Sequence, residues 1–235
     1  MNKTQWQIQP NKSMALMLAK KQLVDLVYDA VNLEGINFTI PEVQTLLDGI
    51  SLGGRKLTDQ NITINQSKAW KKLFEWISHD DFKLTKERVC KLHSIAGNEE
   101  ALTWGDFRNG GVLISGTDYT PPKHDQLDDI FQAMVVDICK YDDVYDQAIH
   151  IFLTMARSQF FFDVNKRMGR FMMNGHLLAK GYPAINIQAK RQLEFNEKMI
   201  RFYESGDQKE MNLFIRSCLD KRVIGIMEEA SGKKI

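Results

Sequence analysis

Residues 159–170 read Gln-Phe-Phe-Phe-Asp-Val-Asn-Lys-Arg-Met-Gly-Arg, an aromatic run followed by a polar turn and then by a helical pattern. We predict that Asp163 caps this helix, because short side chains with an acceptor oxygen satisfy the first N–H groups of a helix. At 100° per residue, Arg167 and Arg170 lie within about 60° of Asp163 on the helix surface. The stretch therefore predicts a helix with two guanidinium groups on the face that begins at its cap.

The same stretch has the chemistry of an anion site. Backbone N–H groups at a helix start, the Asn165 amide and two arginines one turn apart suit several phosphate oxygens. The Asp163 carboxylate among these cations would suit a hard metal that bridges phosphates. The spacing is equally compatible with an Asp-capped helix that carries two surface arginines. The phenylalanines at 160–162 are more typical of a core than of a base-stacking site, and we predict Phe161 to be buried.

The overall charge argues against nucleic acids and anionic membranes as partners. The 235-residue chain has 31 Lys and Arg against 30 Asp and Glu, a formal net charge of +1. Both kinds of partner attract an excess of positive charge. No run approaches the roughly 18 apolar residues of a membrane span. We therefore predict no nucleic-acid partner and no membrane association.

The cysteines and the N-terminus predict a cytoplasmic location. Cys90, Cys139 and Cys218 are odd in number and far apart in the sequence. This pattern favours core thiols in a reducing compartment over disulfides. The N-terminal residues lack the continuous apolar segment of a secretory signal.

Apolar residues recur at three- and four-residue spacings along most of the chain, which predicts an all-α fold. The predicted helices cover residues 13–34, 40–50, 65–77, 84–96, 125–140, 144–157, 165–180, 189–204 and 208–222. One segment interrupts this pattern, because residues 105–122 contain turn glycines, a β-prone run at 112–114 and a Pro-Pro stop. We predict a single β-hairpin flap near residues 105–120.

We divide the chain into three parts. An N-terminal helical segment spans residues 12–60, the core spans 61–222, and a tail spans 223–235. Within the tail, residues 226–235 are expected to fray, as chain termini commonly do.

Residues 159–170 resemble the signature of the Fic family, His-x-Phe-x-(Asp/Glu)-Gly-Asn-(Gly/Lys)-Arg-x-x-Arg. The matching positions are Phe161, Asp163, Asn165, Lys166, Arg167 and Arg170. Residues 105–122 resemble the flap of the family, and residues 65–70 resemble the start of its first core helix. Residues 30–37 resemble its (Ser/Thr)-x-x-x-Glu-(Gly/Asn) inhibitory motif. The resemblance covers roughly residues 14–205 and implies a Fic-type helical domain of the class with an N-terminal inhibitory helix.

The resemblance implies a protein adenylyltransferase. In the family, a His deprotonates a target hydroxyl, which attacks the α-phosphate of ATP and leaves AMP on the target protein. The implied ligands are ATP and Mg²⁺, with Asp163 on the metal. The implied phosphate-binding residues are Asn165, Lys166, Arg167 and Arg170. A target protein would dock in extended form, through main-chain hydrogen bonds, on a flap that includes Val112, Leu113 and Ile114.

Two departures from the signature affect the expected chemistry. Gln159 stands where the family has its catalytic His, and an amide accepts no proton near neutral pH. A general base contributes roughly 10²–10⁴-fold to such a reaction. Val164 stands where the family has Gly, so the loop is either reshaped or strained by a positive φ. Among the histidines, only His124 lies near enough in sequence to the flap to be kept as a replacement base.

Glu34 is the candidate inhibitory residue. On the predicted helix 13–34, Glu34 falls within about 20° of Val27 and continues the apolar stripe. An inward carboxylate at a helix C-terminus needs a cation, which the resemblance identifies as Arg170. Alternatively, the helix frays before Glu34 and its side chain reaches water. Ala30 replaces the Ser or Thr of the motif, so one supporting hydrogen bond is expected to be missing.

Three functions stay open at this point. The main interpretation is an autoinhibited adenylyltransferase with a degenerate motif. A Doc-like phosphotransferase is the first alternative, because Lys166 also occurs in the Doc branch of the family. A nucleotide-binding pseudoenzyme or regulatory interaction protein is the second. A homo-oligomer is also left open.

Overall fold

The computed structural model describes residues 8–230, in which every regular element is a helix and no β-strand occurs. The helices are α1 (Lys12–Lys21), α2 (Leu23–Leu33), α3 (Ile40–Leu47), α4 (Leu57–Ser78), α5 (Lys86–Ala96), α6 (Leu127–Asp137), α7 (Val144–Ser158), α8 (Asn165–Ala179), α9 (Gln192–Ser205), α10 (Lys209–Arg216) and α11 (Lys221–Ala230). Short 3₁₀ turns lie at His124–Gln126, Ile138–Lys140 and Ala189–Arg191. The predicted all-α fold is confirmed.

Helices α7 and α8 pack against each other along their length and form the centre of the molecule. Both helices bury nearly every apolar side chain, including Phe152 and Met168, which are 0% exposed. Gly169 makes the close approach possible, because a Cβ atom there would lie 2.9 Å from the Phe152 carbonyl oxygen. The loop between these helices is therefore held at both ends by the core.

The predicted helix at 13–34 is wrong as one element, because the chain divides it into α1 and α2 at Gln22. Gln22 has φ −90° and ψ 8°, and its N–H still bonds the Leu18 carbonyl at 3.0 Å. The two halves share α4 as a partner but differ in the others: α1 also packs on α8 and α11, whereas α2 also packs on α3. Periodicity does not reveal this break, since each half keeps its own apolar face.

Helix α3 begins as the sequence indicates. Thr39 and Glu42 form a reciprocal capping box, and Pro41 lies in the first turn. The start of α3 is therefore fixed locally, by side chains that satisfy its first N–H groups.

The predicted β-hairpin is wrong, since residues 105–122 run without a paired strand. The run at 112–114 forms no ladder, and the segment is held by Arg108, which is 3% exposed. The Arg108 side chain donates to the carbonyls of Gly110 and Pro122. One buried guanidinium thus ties the two ends of the flap together, where a hairpin would use cross-strand hydrogen bonds.

The expected fraying of residues 226–235 is wrong for the part that the structure describes. Residues up to Ala230 belong to α11, whose Val223, Ile224 and Met227 are buried. Residues 231–235 lie outside the described part of the chain. The boundaries at 12–60, 61–222 and 223–235 stay a prediction.

The cysteines correct one further expectation. All three are free thiols, as expected, but Cys139 is exposed and the other two are half-buried, so none is a fully buried core residue. Within residues 8–230, no helix is both long and apolar enough to cross a membrane.

Candidate functional site

A cleft of about 520 Å³ opens where the α7–α8 loop faces the flap, α9 and the C-terminal end of α2. Its lining residues are Glu34, Leu113, Ile114, Ser115, Gln159, Phe162, Asp163, Val164, Asn165, Lys166, Arg167, Asn196, Met199, Ile200 and Tyr203. Most of the residues singled out in the sequence therefore meet at one surface. The α9 residues were not anticipated, because their helical spacing resembles that of any amphipathic helix.

The α7–α8 loop is shaped by two residues with positive φ. Gln159 ends α7 at φ 50°, and Val164 precedes α8 at φ 64°. The strained alternative predicted for Val164 is thus the one that the structure adopts, since a β-branched residue rarely takes this conformation. Between them, Phe160 and Phe161 are 0% exposed, so the prediction that Phe161 belongs to the core is confirmed.

The Asn165 side chain closes this loop. Its Oδ1 accepts from the Phe161 N–H at 2.9 Å, and its Nδ2 donates to the Phe161 carbonyl at 2.8 Å. The same Nδ2 donates to Gln159 Oε1 at 2.9 Å. Gln159 Nε2 in turn donates to the Ala156 carbonyl at 2.6 Å. Both amides are therefore used to hold the loop.

Helix α8 starts without a side-chain cap, so the prediction that Asp163 is its N-cap is wrong. The capping position is Val164, which offers no acceptor. Asp163 Oδ1 instead accepts from the Val164 N–H at 2.6 Å, outside the helix. The reason is the left-handed turn at Val164, which places Asp163 one residue too early. The first N–H groups of α8 therefore have no side-chain cap, and a helix start of this kind can bind an anion.

Glu34 lies between two cations of the α8 start. Its Oε1 is 3.1 Å from Arg170 Nη2, and its Oε2 is 3.3 Å from Lys166 Nζ. The Glu34 side chain is 20% exposed, so the alternative in which it frays into water is wrong. Burial alone would raise the pKa of the Glu34 carboxyl, but the neighbouring cations, chiefly Lys166 and Arg170, outweigh burial and hold the pKa below its ordinary value.

Arg167 is held by a residue that the sequence did not indicate. Its Nη1 donates to Glu100 Oε2 at 2.8 Å, and its Nη2 pairs with Glu100 Oε1. Glu100 lies in the turn after α5, in the sequence Gly-Asn-Glu-Glu at 97–100, which has no motif or periodicity. Only the three-dimensional proximity of this turn to α8 identifies it.

A second, small cavity of about 20 Å³ lies behind Arg170, next to Ala30 and Gln66. Arg170 Nε and Nη1 and Gln66 Oε1 are buried and form no hydrogen bond within the described chain. The cavity is large enough for about one water. The side chain of Ala30 adds no hydroxyl here, in agreement with the expected loss of a supporting hydrogen bond.

The Asp163 position fits Mg²⁺ only as part of a metal–nucleotide complex. Asp163 is exposed on the cleft, and residues 8–230 contain no group of three or more His, Cys, Asp or Glu that could hold a metal. Magnesium is commonly bound through one or two carboxylates together with substrate phosphates and waters. A single carboxylate beside an anion site is compatible with that arrangement.

No histidine of the described chain lines the cleft. His124 is exposed in a 3₁₀ turn outside it, which gives no support to its candidacy as a replacement base. His93 is buried beneath the loop, stacked on Phe161 with ring centroids 3.7 Å apart. Burial lowers the pKa of His93 to about 4, so its ring is neutral at physiological pH.

The flap residues alternate in exposure. Val112 and Ile114 are half-buried, while Leu113 is 89% exposed. Leu113 and Ile114 line the cleft, and Val112 does not. The flap is thus an irregular segment beside the cleft, with the apolar Leu113 side chain exposed to solvent.

Comparison with known proteins agrees with this geometry. The model of the Fic/DOC family matches residues 83–177, which include the flap and the start of α8. This part of the chain is therefore similar to a Fic domain. A crystal structure of a Fic domain containing signaling protein from Bacteroides thetaiotaomicron superposes with a TM-score of 0.73 at 17% identity, covering 96% of this chain and 92% of that one. Fic-1 from C. elegans gives a TM-score of 0.76 at 15% identity, covering 97% and 68%.

The curated relatives that this chain matches are longer than the chain itself. The "Protein adenylyltransferase Fic" of Drosophila willistoni is 23% identical over 221 residues, which is 88% of this chain and 42% of the relative. The protein of the same name from Aedes aegypti is 22% identical, with 89% and 43% covered. The chain therefore spans less than half the length of these relatives.

Proposed function

We propose that this chain is a Fic-type protein adenylyltransferase that is restrained by Glu34 and slowed by Gln159. The observation that carries the proposal is the uncapped start of α8, which faces a cleft together with Lys166 and Arg167. Arg170 lies next to the cleft, where it is paired with Glu34. The names of the curated relatives support the same activity.

The nucleotide would bind with its phosphates at the start of α8. Backbone N–H groups and three cationic side chains match the charge and the acceptor oxygens of a triphosphate. Asp163 would hold Mg²⁺, whose contribution is to neutralise charge on the phosphates. The base and ribose would occupy the wall formed by α9, where Met199, Ile200 and Tyr203 supply apolar surface.

Transfer needs a proton acceptor that Gln159 cannot supply. The hydroxyl oxygen of the target attacks the α-phosphorus, the bond from that phosphorus to the bridging oxygen breaks, and pyrophosphate leaves. The hydroxyl proton passes to solvent, because the Gln159 amide accepts none and both of its ends are already hydrogen-bonded. The expected rate is lower than with a His at this position by the roughly 10²–10⁴-fold that a general base contributes.

Glu34 restrains the site by occupying cations that the phosphates need. Its two oxygens lie on Arg170 and Lys166, and a triphosphate placed there would also meet its negative charge. Removal of the carboxylate frees both cations, so Glu34 acts as an autoinhibitory residue.

The target protein would dock on the flap. Its residues 111–114 form no helix, strand or turn and have no hydrogen-bonded strand partner within the described chain, and Leu113 and Ile114 line the cleft. A second extended chain could pair there. The cytoplasmic location, the absence of a nucleic-acid partner and the possible homo-oligomer stay predictions from the sequence.

The test is radiolabel transfer by the Glu34→Gly variant. The full chain is incubated with Mg²⁺, a cell lysate and ATP labelled at either the α or the γ phosphate. Label from the α position on protein, lost in the Glu34→Gly/Arg170→Ala variant, is the expected result. Transfer of the γ label alone would instead support a Doc-like phosphotransferase. Nucleotide binding without transfer of either label would leave a pseudoenzyme as the function of the cleft.

A further inference from the structure

The two arginines of the α8 start are each paired with a glutamate, but the two pairs differ in geometry. Glu34 contacts Arg170 through one oxygen at 3.1 Å. Glu100 contacts Arg167 through both oxygens, in a bidentate pair with both terminal nitrogens. A bidentate pair fixes the plane of a guanidinium, which a single contact does not.

The turn that carries Glu100 is itself fixed. The Asn65 side chain on α4 donates to the Asn98 carbonyl at 3.0 Å. The N–H groups of Glu100 and Ala101 both bond the Gly97 carbonyl at 3.1 Å, and Ala101 is 5% exposed. Glu100 is therefore presented to Arg167 by a backbone that α4 anchors.

The two glutamates also differ in their place relative to the cleft. Glu34 and Arg167 line the cleft, whereas Glu100 is not among the lining residues of the described chain. Arg167 is 4% exposed and the Glu100 side chain is 16% exposed. Arg167 is thus accessible to a ligand in the cleft, while its partner Glu100 is not part of the cleft lining. Glu34 competes with such a ligand, and Glu100 does not.

We propose that Glu100 is a positioning residue that orients the Arg167 guanidinium toward nucleotide phosphates. This inference rests on the proposed function of the cleft. It assigns opposite effects to two carboxylates that look equivalent by charge. Loss of Glu34 releases a cation for the phosphates. Loss of Glu100 instead leaves Arg167 without the partner that fixes the orientation of its guanidinium plane.

The test measures binding of Mg²⁺-ATP and of adenosine by calorimetry in the Glu34→Gly background. Glu100→Gln keeps the size of the side chain but replaces the charged bidentate acceptor. We expect it to weaken ATP binding about tenfold, the order of one hydrogen bond to a charged group, and to leave adenosine binding unchanged. A purely structural role would weaken both ligands together. The neighbouring exposed Glu99→Gln is the matched control and should alter neither.

A double-mutant cycle with Arg167→Ala completes the experiment. If Glu100 acts through Arg167, the double variant binds ATP no more weakly than Arg167→Ala alone. Unchanged or tighter ATP binding in Glu100→Gln would overturn the proposal while leaving the proposed function intact. Equal losses for ATP and adenosine would also overturn it. Absence of ATP binding in the Glu34→Gly parent would reject the proposed function itself, and the role of Glu100 with it.

Discussion

Asn165 Nδ2 donates a hydrogen bond to Gln159 Oε1 at 2.9 Å, which joins the start of α8 to the end of α7. The other end of the Gln159 amide donates to the Ala156 carbonyl at 2.6 Å. The residue at the catalytic position of the family signature therefore supports the loop, with both ends of its amide hydrogen-bonded within the loop region. Its replacement by His would exchange a structural hydrogen bond for a titratable ring.

Gln159→His is expected to raise AMP transfer. A His there has an ordinary pKa near 6.5 and takes up the hydroxyl proton, a change worth roughly 10²–10⁴-fold. The lost contacts to Asn165 and Ala156 should lower the free energy of unfolding by about 1 kcal/mol. Transfer of α-phosphate label in the Glu34→Gly background measures the gain, and thermal unfolding measures the cost.

Gln159→Asn is the matched control, because it shortens the amide without adding a base. It should lower stability by a similar amount and give no gain in transfer. If Gln159→His binds ATP but labels no protein, the strained turn at Val164 or a lost target surface blocks the reaction, and the pseudoenzyme interpretation takes precedence.

Glu34→Gly is expected to tighten ATP binding and to destabilise the protein. It frees Arg170 and Lys166 for the phosphates. It also leaves a buried guanidinium without its partner, a change that typically costs several kcal/mol. Calorimetry and thermal unfolding of the same samples measure both effects.

A surface carboxylate provides the comparison for Glu34. Glu75 pairs with Lys72 and is 53% exposed, so Glu75→Gln should alter neither ATP affinity nor stability by more than about 1 kcal/mol. Loss of stability without tighter ATP binding in Glu34→Gly would make Glu34 a structural residue only. A variant with neither effect would contradict the observed ion pair.

At position 164 we expect the Gly variant to be at least as stable as the Ala variant, which reverses the order usual in a helix. The residue is 3% exposed and has φ 64°, so it combines burial with backbone strain. Val164→Ala loses buried methyl groups and keeps most of the strain, whereas Val164→Gly also removes strain of about 1–2 kcal/mol. Val164→Gly should therefore be at least as stable as Val164→Ala in urea unfolding.

Val89 supplies the control for this comparison. It is 0% exposed and lies inside α5, where Gly is less favourable than Ala by about 1 kcal/mol. The backbone strain at Val164 would be established if Ala is more stable than Gly at position 89 but not at position 164. The ordinary order at both positions would show that Val164 stores none.

The sequence predicted the fold and most of the cleft because both depend on local patterns. Helical periodicity located the main elements, and the spacing within 159–170 placed Arg167 and Arg170 on one face. Glu34 was predicted to point inward because it continues an apolar stripe. These features are properties of single helices, which a sequence records directly.

The features that the sequence did not predict depend on contacts between elements. The break at Gln22 separates α1, which packs on α8 and α11, from α2, which packs on α3, while both contact α4. Where a hairpin would have cross-strand hydrogen bonds, the flap has the Arg108 guanidinium, which donates to the carbonyls of Gly110 and Pro122. Glu100 reaches Arg167 from a turn 67 residues away in the chain. No local pattern encodes such distances.

The stability of the domain is expected to fall as the pH decreases from about 6.5 to 4 because of His93. Its ring is neutral, and both ring nitrogens have a hydrogen-bond partner. Nδ1 accepts from the Gly105 N–H at 3.1 Å, and Nε2 lies 3.4 Å from the Asp163 carbonyl. Burial lowers the pKa of His93 to about 4, whereas an unfolded chain binds the proton near 6.5. Above pH 6.5 the neutral His93 ring therefore makes its full contribution to the free energy of unfolding, about 3 kcal/mol. This contribution is lost as the pH falls from about 6.5 through 4.

His93→Gln separates this effect from general acid denaturation. The variant should be less stable than the parent at pH 7, since it loses the ring stacked on Phe161, but its melting temperature should depend less on pH between 6.5 and 4. The exposed His79→Gln is the control and should keep the slope of the parent. Because His93 joins Gly105 of the flap to Asp163 of the loop, protonation of its ring would disturb both walls of the cleft together. An unchanged slope in His93→Gln would mean that another group, such as His176, whose pKa burial also lowers to about 4, dominates the acid transition.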